Sequence, residues 1–271
     1  MTAVSCDYTV EGEGPAMFFI HGIGARRAGF AGIGRRLRAN FKCVSYDLRG
    51  HGKSPASSEP FDLNDLVDDL DALRAKLGIE KAHFAGHSLG GMIGPAYARR
   101  FSDRVLSVTL LSTAAFRTDE DKAKLNALGS EMKQNGVAQV LDTMTARWFT
   151  DEFGAANPDV IERRKRQVLE TDEGIFINAF DVYATTAMEP WLREIKAPAL
   201  IITGEFDGGC NPRLNKKIAA AMPNSKLVIL EGMKHAITLE APNRVAAEME
   251  KFLFDIKTAK QAAPAQAWKV R

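Results

Sequence analysis

Cysteine is scarce in this chain. Cys6, Cys43 and Cys210 are the only thiols in 271 residues. Their number is odd, their spacing is wide and no C-x-x-C pair occurs, which argues against both a disulfide framework and a zinc site. Long apolar runs are missing too. Ala16–Ile20 falls far short of the roughly twenty residues that cross a membrane, and Met1–Tyr8 lacks the basic segment of a secretory leader. These absences predict a cytoplasmic protein with no membrane partner. An excess of one charge is also lacking. Lys+Arg 36 against Asp+Glu 34 leaves a formal charge of only +2, without the basic surplus that nucleic-acid binders carry. The charge of a small-molecule substrate is left open.

What the chain does have is enough for a large core. Hydrophobic residues make up 45% and charged residues 26%, an ordinary globular balance. A chain of this length buries about three quarters of its surface on folding. Short apolar runs punctuate it at Ala16–Ile20, Cys43–Tyr46, Lys81–Ala85, Val105–Leu111, Ala199–Thr203 and Lys226–Leu230. Continuous apolar runs of this length mark strands buried on both faces of a parallel sheet. Tyr8–Val10 is a possible antiparallel edge strand ahead of them. Between the runs lie helical patterns. Leu63, Leu66, Val67, Leu70, Leu73 and Leu77 recur at three- and four-residue steps behind a capping Asp62, and Val245, Met249, Phe252, Leu253 and Ile256 do the same near the end.

The alternation predicts an α/β fold: an open, mostly parallel sheet with helices on both faces. From about Phe116 to Ile195 it breaks. That stretch shows helical patterns, among them Val137–Phe149 and Val160–Glu170, and no strand-like run. The expected organisation is a core domain at 1–115 and 196–257, a helical cap at 116–195, and a flexible tail at 258–271.

The strongest motif is Gly86-His87-Ser88-Leu89-Gly90-Gly91. It follows an apolar run and precedes a helical one, the setting that a G-x-S-x-G nucleophile elbow requires. The competing reading is an ordinary turn with a helix-capping serine. A serine hydroxyl needs a base, and His235, after the last apolar run, stands where the order Ser, acid, His expects one. His21, His51 and His87 sit beside glycines and His83 lies within a strand run, so these four read as structural. Asp207 closes Leu200–Asp207 and is the expected acid. Glu205 is its nearest competitor and reads as a loop contact. The segment after the preceding strand, Ser112-Thr113-Ala114, holds no carboxylate. Asp47 reads as a loop anchor. The oxyanion formed during acyl transfer needs preorganised donors. The backbone N–H groups of Leu89 and of Ile23, in His21-Gly22-Ile23-Gly24, are the expected pair.

Taken together, His21-Gly22, Tyr46-Asp47-Leu48-Arg49-Gly50-His51-Gly52-Lys53-Ser54, the elbow at Ser88, Asp207 and His235 resemble the α/β-hydrolase superfamily across roughly Met17 to Leu253. Ala146-Arg147-Trp148-Phe149-Thr150, Phe153, Pro158 and Leu169-Glu170-Thr171-Asp172 are similar to the cap of 3-oxoadipate enol-lactonases, which open an enol-lactone ring bearing a carboxylate. The chain differs from that pattern in having His87 and Leu89 around the serine, and Gly208-Gly209-Cys210-Asn211-Pro212 after the acid. The resemblance implies a carboxylic-ester or lactone hydrolase working through an acyl-enzyme on Ser88, with no metal or organic cofactor. Amide or C–C bond hydrolysis by the same triad, and a ligand receptor that retains the triad, are the alternatives. Arg26, Arg27 and Arg147 are candidate partners for a substrate carboxylate, because a guanidinium fork pairs with carboxylate, and Trp148 is a candidate pocket wall. Taken singly, each of these also reads as surface or cap packing. The oligomeric state is not encoded in these motifs.

Overall fold

Strands and helices alternate along residues 2–262, which the computed structural model describes. The first part of the chain runs β1 (Tyr8–Glu11), β2 (Ala16–Ile20), α1 (Ala31–Leu37), β3 (Lys42–Tyr46), α2 (Leu63–Lys76), β4 (Ala82–His87), α3 (Gly90–Arg100) and β5 (Val105–Leu111). Helices α4 (Asp119–Asn135), α5 (Val137–Trp148), α6 (Asp151–Ala156), α7 (Pro158–Leu169) and α8 (Glu173–Thr185) follow without a strand. The chain then returns to the sheet through β6 (Ala199–Gly204), α9 (Pro212–Ala221), β7 (Ser225–Leu230), α10 (Ile237–Glu240) and α11 (Pro242–Ala262).

The strands form one seven-stranded sheet in the order β1-β3-β2-β4-β5-β6-β7. β1 runs antiparallel to β3, with Tyr8 opposite Tyr46, and every other neighbouring pair is parallel. This is the α/β-hydrolase architecture, with helices packed on both faces.

The continuous apolar runs follow from that two-sided burial. On β2, Met17 and Phe19 pack with Ile33 and Leu37 of α1 and with Val245, Met249 and Phe252 of α11. Phe18 and Ile20 point the other way, toward Leu66 and Leu70 of α2 and Met92 and Ile93 of α3. Successive strand side chains face opposite sides, so a strand covered on both has no polar position to spare. Each such side chain contributes about 1.5–3 kcal/mol when fully buried. α2 starts where the sequence places its cap: the Asp62 carboxylate accepts from the N–H groups of Asn64 and Asp65, and the Asp65 carboxylate accepts from the Asp62 N–H. Such caps are worth about 1 kcal/mol.

Two boundaries differ from expectation. α7 begins at Pro158, whose ring suits the first helical turn. α11 runs on to Ala262, past the expected start of the tail at 258. Lys257–Ala262 contains no Gly or Pro and is rich in good helix formers, so nothing in it stops the helix. The remainder of the expected tail, 263–271, lies outside the described residues.

Helices α4–α8 lie between β5 and β6 in the chain and gather their own apolar cluster, including Met132, Leu141, Met144, Val168, Phe176 and Phe180. Among the described residues no helix is long and apolar enough to cross a membrane.

Candidate active site

The turn from β4 into α3 is built around close backbone approach. A Cβ on Gly86 would lie 1.9 Å from the Gly90 carbonyl oxygen, and one on Gly90 would lie 2.1 Å from that of Ile20. Only hydrogen fits at either position. Between them Ser88 adopts φ 55, a left-handed conformation costly for a side chain with Cβ. The strain is held by bonds on both sides: Ser88 N–H donates to Leu111 O at 2.9 Å, and Ser88 O accepts from Gly91 N–H at 3.0 Å and from Thr113 Oγ1 at 2.8 Å. The result places Ser88 in a cavity of about 750 Å³ together with Gly22, Ile23, Asp207, His235 and cap residues Met144, Trp148, Arg164 and Phe180.

His235 Nδ1 donates to Asp207 Oδ2 at 2.7 Å. The other oxygen, Oδ1, accepts from the N–H groups of Gly209 (3.0 Å) and Cys210 (2.8 Å). The loop supplying those donors is itself tied down, because Cys210 O accepts from Thr203 Oγ1 and Asn215 Nδ2. Burial opposes ionisation of Asp207, yet the His235 charge and these hydrogen bonds hold its carboxyl below the usual range. Burial likewise opposes protonation of His235, and Asp207 outweighs it and raises the imidazole above its ordinary value. Asp207, Cys210 and His235 bring their polar side-chain atoms within 4.8 Å of one another. Both Asp207 oxygens are already engaged at hydrogen-bond distance, so the group reads as an oriented imidazole and not as a cation cage. Glu205 turns outward, where its Oε2 accepts from Gly232 N–H.

The loop after β2 approaches Ser88 from the other side. Among the described residues neither Ile23 N–H nor Leu89 N–H has a hydrogen-bond acceptor. Unpaired backbone donors beside a nucleophile are what an oxyanion requires. The loop is shaped by two neutral histidines. His21 Nδ1 donates to Gly22 O and its Nε2 accepts from Leu48 N–H. His51 Nδ1 donates to Arg49 O and its Nε2 accepts from Gly24 N–H at 3.0 Å. Burial pushes both imidazoles down to about 3, which fixes them as neutral. His87 donates from Nε2 to His235 O at 2.9 Å, and His83 bonds Ser107 Oγ within the sheet.

The expected cationic residues separate. Arg26 lines the cavity, and its guanidinium donates to Thr171 Oγ1 and Gln167 O of the cap. Arg27 does not line it. Its guanidinium turns away to the carboxylates of Asp7 and Asp47, and its N–H also donates to Asp47 Oδ1 at 2.7 Å. Arg27 is therefore corrected to a loop anchor. Neighbouring residues of a turn point in different directions, which their sequence does not reveal. Arg147 lies exposed at the cavity rim with no carboxylate partner among the described residues. Trp148 is half-buried in the wall, and its carbonyl accepts from Ala236 N–H beside His235.

Three arginines of the cavity wall, Arg117, Arg163 and Arg164, escaped sequence reasoning. Arg164 of α7 lines the cavity with its guanidinium 4.5 Å from the centre of the Trp148 ring. It stands in Glu162-Arg163-Arg164-Lys165-Arg166, which reads as a solvated face. The one available signal was its position four residues before buried Val168, on the same helical face. Arg117 is buried against the Tyr183 ring at 4.3 Å and donates to Tyr183 O. The Tyr183 hydroxyl in turn lies 3.1 Å from Cys210 Sγ.

A strained serine, an acid-paired histidine and Ile23, whose N–H is unengaged, line one cavity, and such a site defines a hydrolase. The alpha/beta hydrolase fold family matches residues 15–242, and the chain belongs to that family. It is 30% identical over 193 residues to 3-oxoadipate enol-lactonase 1 of Acinetobacter baylyi, covering 71% of each chain. It is 26% identical to 3-oxoadipate enol-lactonase 2 of the same organism, over 92% of this chain and 94% of that one. Among solved structures, the enol-lactonase from Burkholderia xenovorans superposes with a TM-score of 0.85 at 26% identity, covering 93% of this chain and 97% of the other.

Proposed function

We propose that this enzyme hydrolyses a carboxylic ester or lactone through an acyl-enzyme on Ser88. The observation that carries the reading is the 2.7 Å contact between His235 and Asp207 in the cavity that Ser88 lines. In this mechanism His235 takes the Ser88 proton as the hydroxyl oxygen attacks the carbonyl. The N–H groups of Ile23 and Leu89 receive the oxyanion. His235 then protonates the leaving alkoxide or enolate and later deprotonates the water that releases the acid. Asp207 holds the imidazole tautomer throughout and stabilises the imidazolium.

The substrate in this reading is a small molecule bearing an acidic group. Arg26, Arg117, Lys124, Arg147, Arg163 and Arg164 line the cavity against the carboxylates of Asp121 and Asp207. Asp121 is engaged by Arg213 and Asp207 by His235, so the walls present a surplus of positive charge, which concentrates anions. Similarity to the enol-lactonases supports the same conclusion. The three cysteines are buried and free, in keeping with a reducing cytoplasmic setting.

The test is hydrolysis of 4-nitrophenyl acetate by wild type and Ser88→Ala, followed by paired neutral and carboxylated esters. Ser88→Ala is expected to lose at least about 10⁴-fold in kcat while remaining folded. Arg147→Glu is expected to raise KM for the carboxylated ester alone. Wild-type turnover by folded Ser88→Ala would remove the serine mechanism.

A further inference from the structure

The peptide joining Ile23 to Gly24 is gripped from two directions. On the core side its N–H, that of Gly24, donates to His51 Nε2 at 3.0 Å. On the cap side its carbonyl, that of Ile23, accepts from Arg164 Nη2 at 2.9 Å, and the next carbonyl, Gly24 O, accepts from Arg164 Nη1 at 2.6 Å. One guanidinium thus spans two consecutive carbonyls of the loop whose preceding N–H, that of Ile23, has no acceptor among the described residues and belongs to a residue lining the cavity with Ser88. Gly24 has φ 60, so the loop turns sharply at the point of grip.

The cost of this arrangement says that it is not incidental. Arg164 has no carboxylate within ion-pairing distance among the described residues. Burial and the neighbouring Arg26 charge lower its hold on the proton, to about 9. A half-buried cation without a counter-charge is destabilising unless dipoles replace the water it has lost. Here the two loop carbonyls and the face of Trp148 do so. The planar fork matches two carbonyl oxygens at once, which a lysine ammonium cannot do in the same geometry.

We propose that Arg164 is a positioning residue of the oxyanion hole, a brace through which the cap fixes the Ile23 N–H against Ser88. The catalytic loop is then complete only when α7 is docked on it. The guanidinium acts through the loop and needs no contact with substrate. The inference rests on the serine mechanism proposed above, and the two fail differently.

The experiment measures kcat, KM and the pH–rate profile of wild type, Arg164→Lys and Arg164→Met on 4-nitrophenyl acetate, a substrate without charge, and on a carboxylated 4-nitrophenyl ester, with Ser88→Ala as control. It adds the rate of inactivation by diethyl 4-nitrophenyl phosphate, whose transition state places an oxyanion in the same hole. Arg164→Met is expected to lower kcat and the inactivation rate together by about 10- to 100-fold, the scale of a small misplacement of a catalytic group. KM and the acid limb of the profile stay put, because His235 and Asp207 are untouched. Arg164→Lys, able to hold one carbonyl, falls between. Should Arg164→Met fail to fold, as judged by circular dichroism, Arg164→Lys is read by the same criteria. Unchanged kcat in a folded variant, a loss confined to anionic esters, or a displaced acid limb overturns the brace. Turnover by Ser88→Ala overturns the serine mechanism instead.

Discussion

Gly22 lies against Ser88 so closely that a Cβ at position 22 would stand 3.0 Å from Ser88 Cβ and 3.2 Å from His87 O. The first contact is with the root of the Ser88 side chain, and the second with the backbone just before it.

Gly22→Ala should therefore impair catalysis more than folding. Gly22 has no positive φ, so alanine meets no backbone strain and only the local gap must widen. In the mechanism proposed above, shifting the loop by a few tenths of an ångström moves the Ile23 donor off the oxyanion position. The expected outcome is a kcat lowered about tenfold or more with the thermal midpoint shifted by only a few degrees, ~1 kcal/mol of stability. Steady-state kinetics and a thermal melt on the same preparation check it. A large fall in midpoint with normal kcat in the folded fraction would contradict it.

Asp207 and His235 predict a pH signature. A general base works when neutral, so activity rises with pH through the His235 pKa. Asp207 raises that pKa above 6.5, which places the acid limb of kcat/KM above pH 6.5. Asp207→Asn removes the carboxylate charge. It is expected to move the limb toward lower pH while cutting kcat by about 10⁴-fold, since the imidazole loses its tautomer control. A limb unmoved by the substitution would assign the ionisation elsewhere.

His21 and His51 predict acid sensitivity of the fold. Each is neutral in the folded chain down to about pH 3, against 6.5 for a free imidazole. Between those values the unfolded chain binds the extra proton, so stability falls as pH drops below 6.5. Each histidine adds about 1.4 kcal/mol per pH unit to that slope. Urea unfolding at stepped pH should show a smaller slope for His51→Gln than for wild type. Equal slopes would mean that His51 takes up a proton without unfolding.

The strands and the elbow were legible because their constraints are local. Runs such as Ala16–Ile20 must be apolar throughout when both sheet faces are covered, and the glycines around Ser88 answer to backbone contacts within a few residues of it. Asp207 and His235 were readable from their places after β6 and β7. Arg164 was not, since its neighbours are Arg163 and Lys165 and only the fold turns it toward Gly24. Arg26 and Arg27 differ in the same way: adjacent in sequence, one faces the cap and the other the core.

The insertion of the cap between β5 and β6 has a temporal side. His87, beside the nucleophile, and His235 are 148 residues apart. At about 5–20 residues per second of synthesis, roughly seven to thirty seconds pass between them on the ribosome. During that interval the elbow lacks β6, β7 and His235, so in the serine mechanism proposed above Ser88 has no base. Under that mechanism the growing chain carries no active nucleophile until the cap has emerged and the sheet can close.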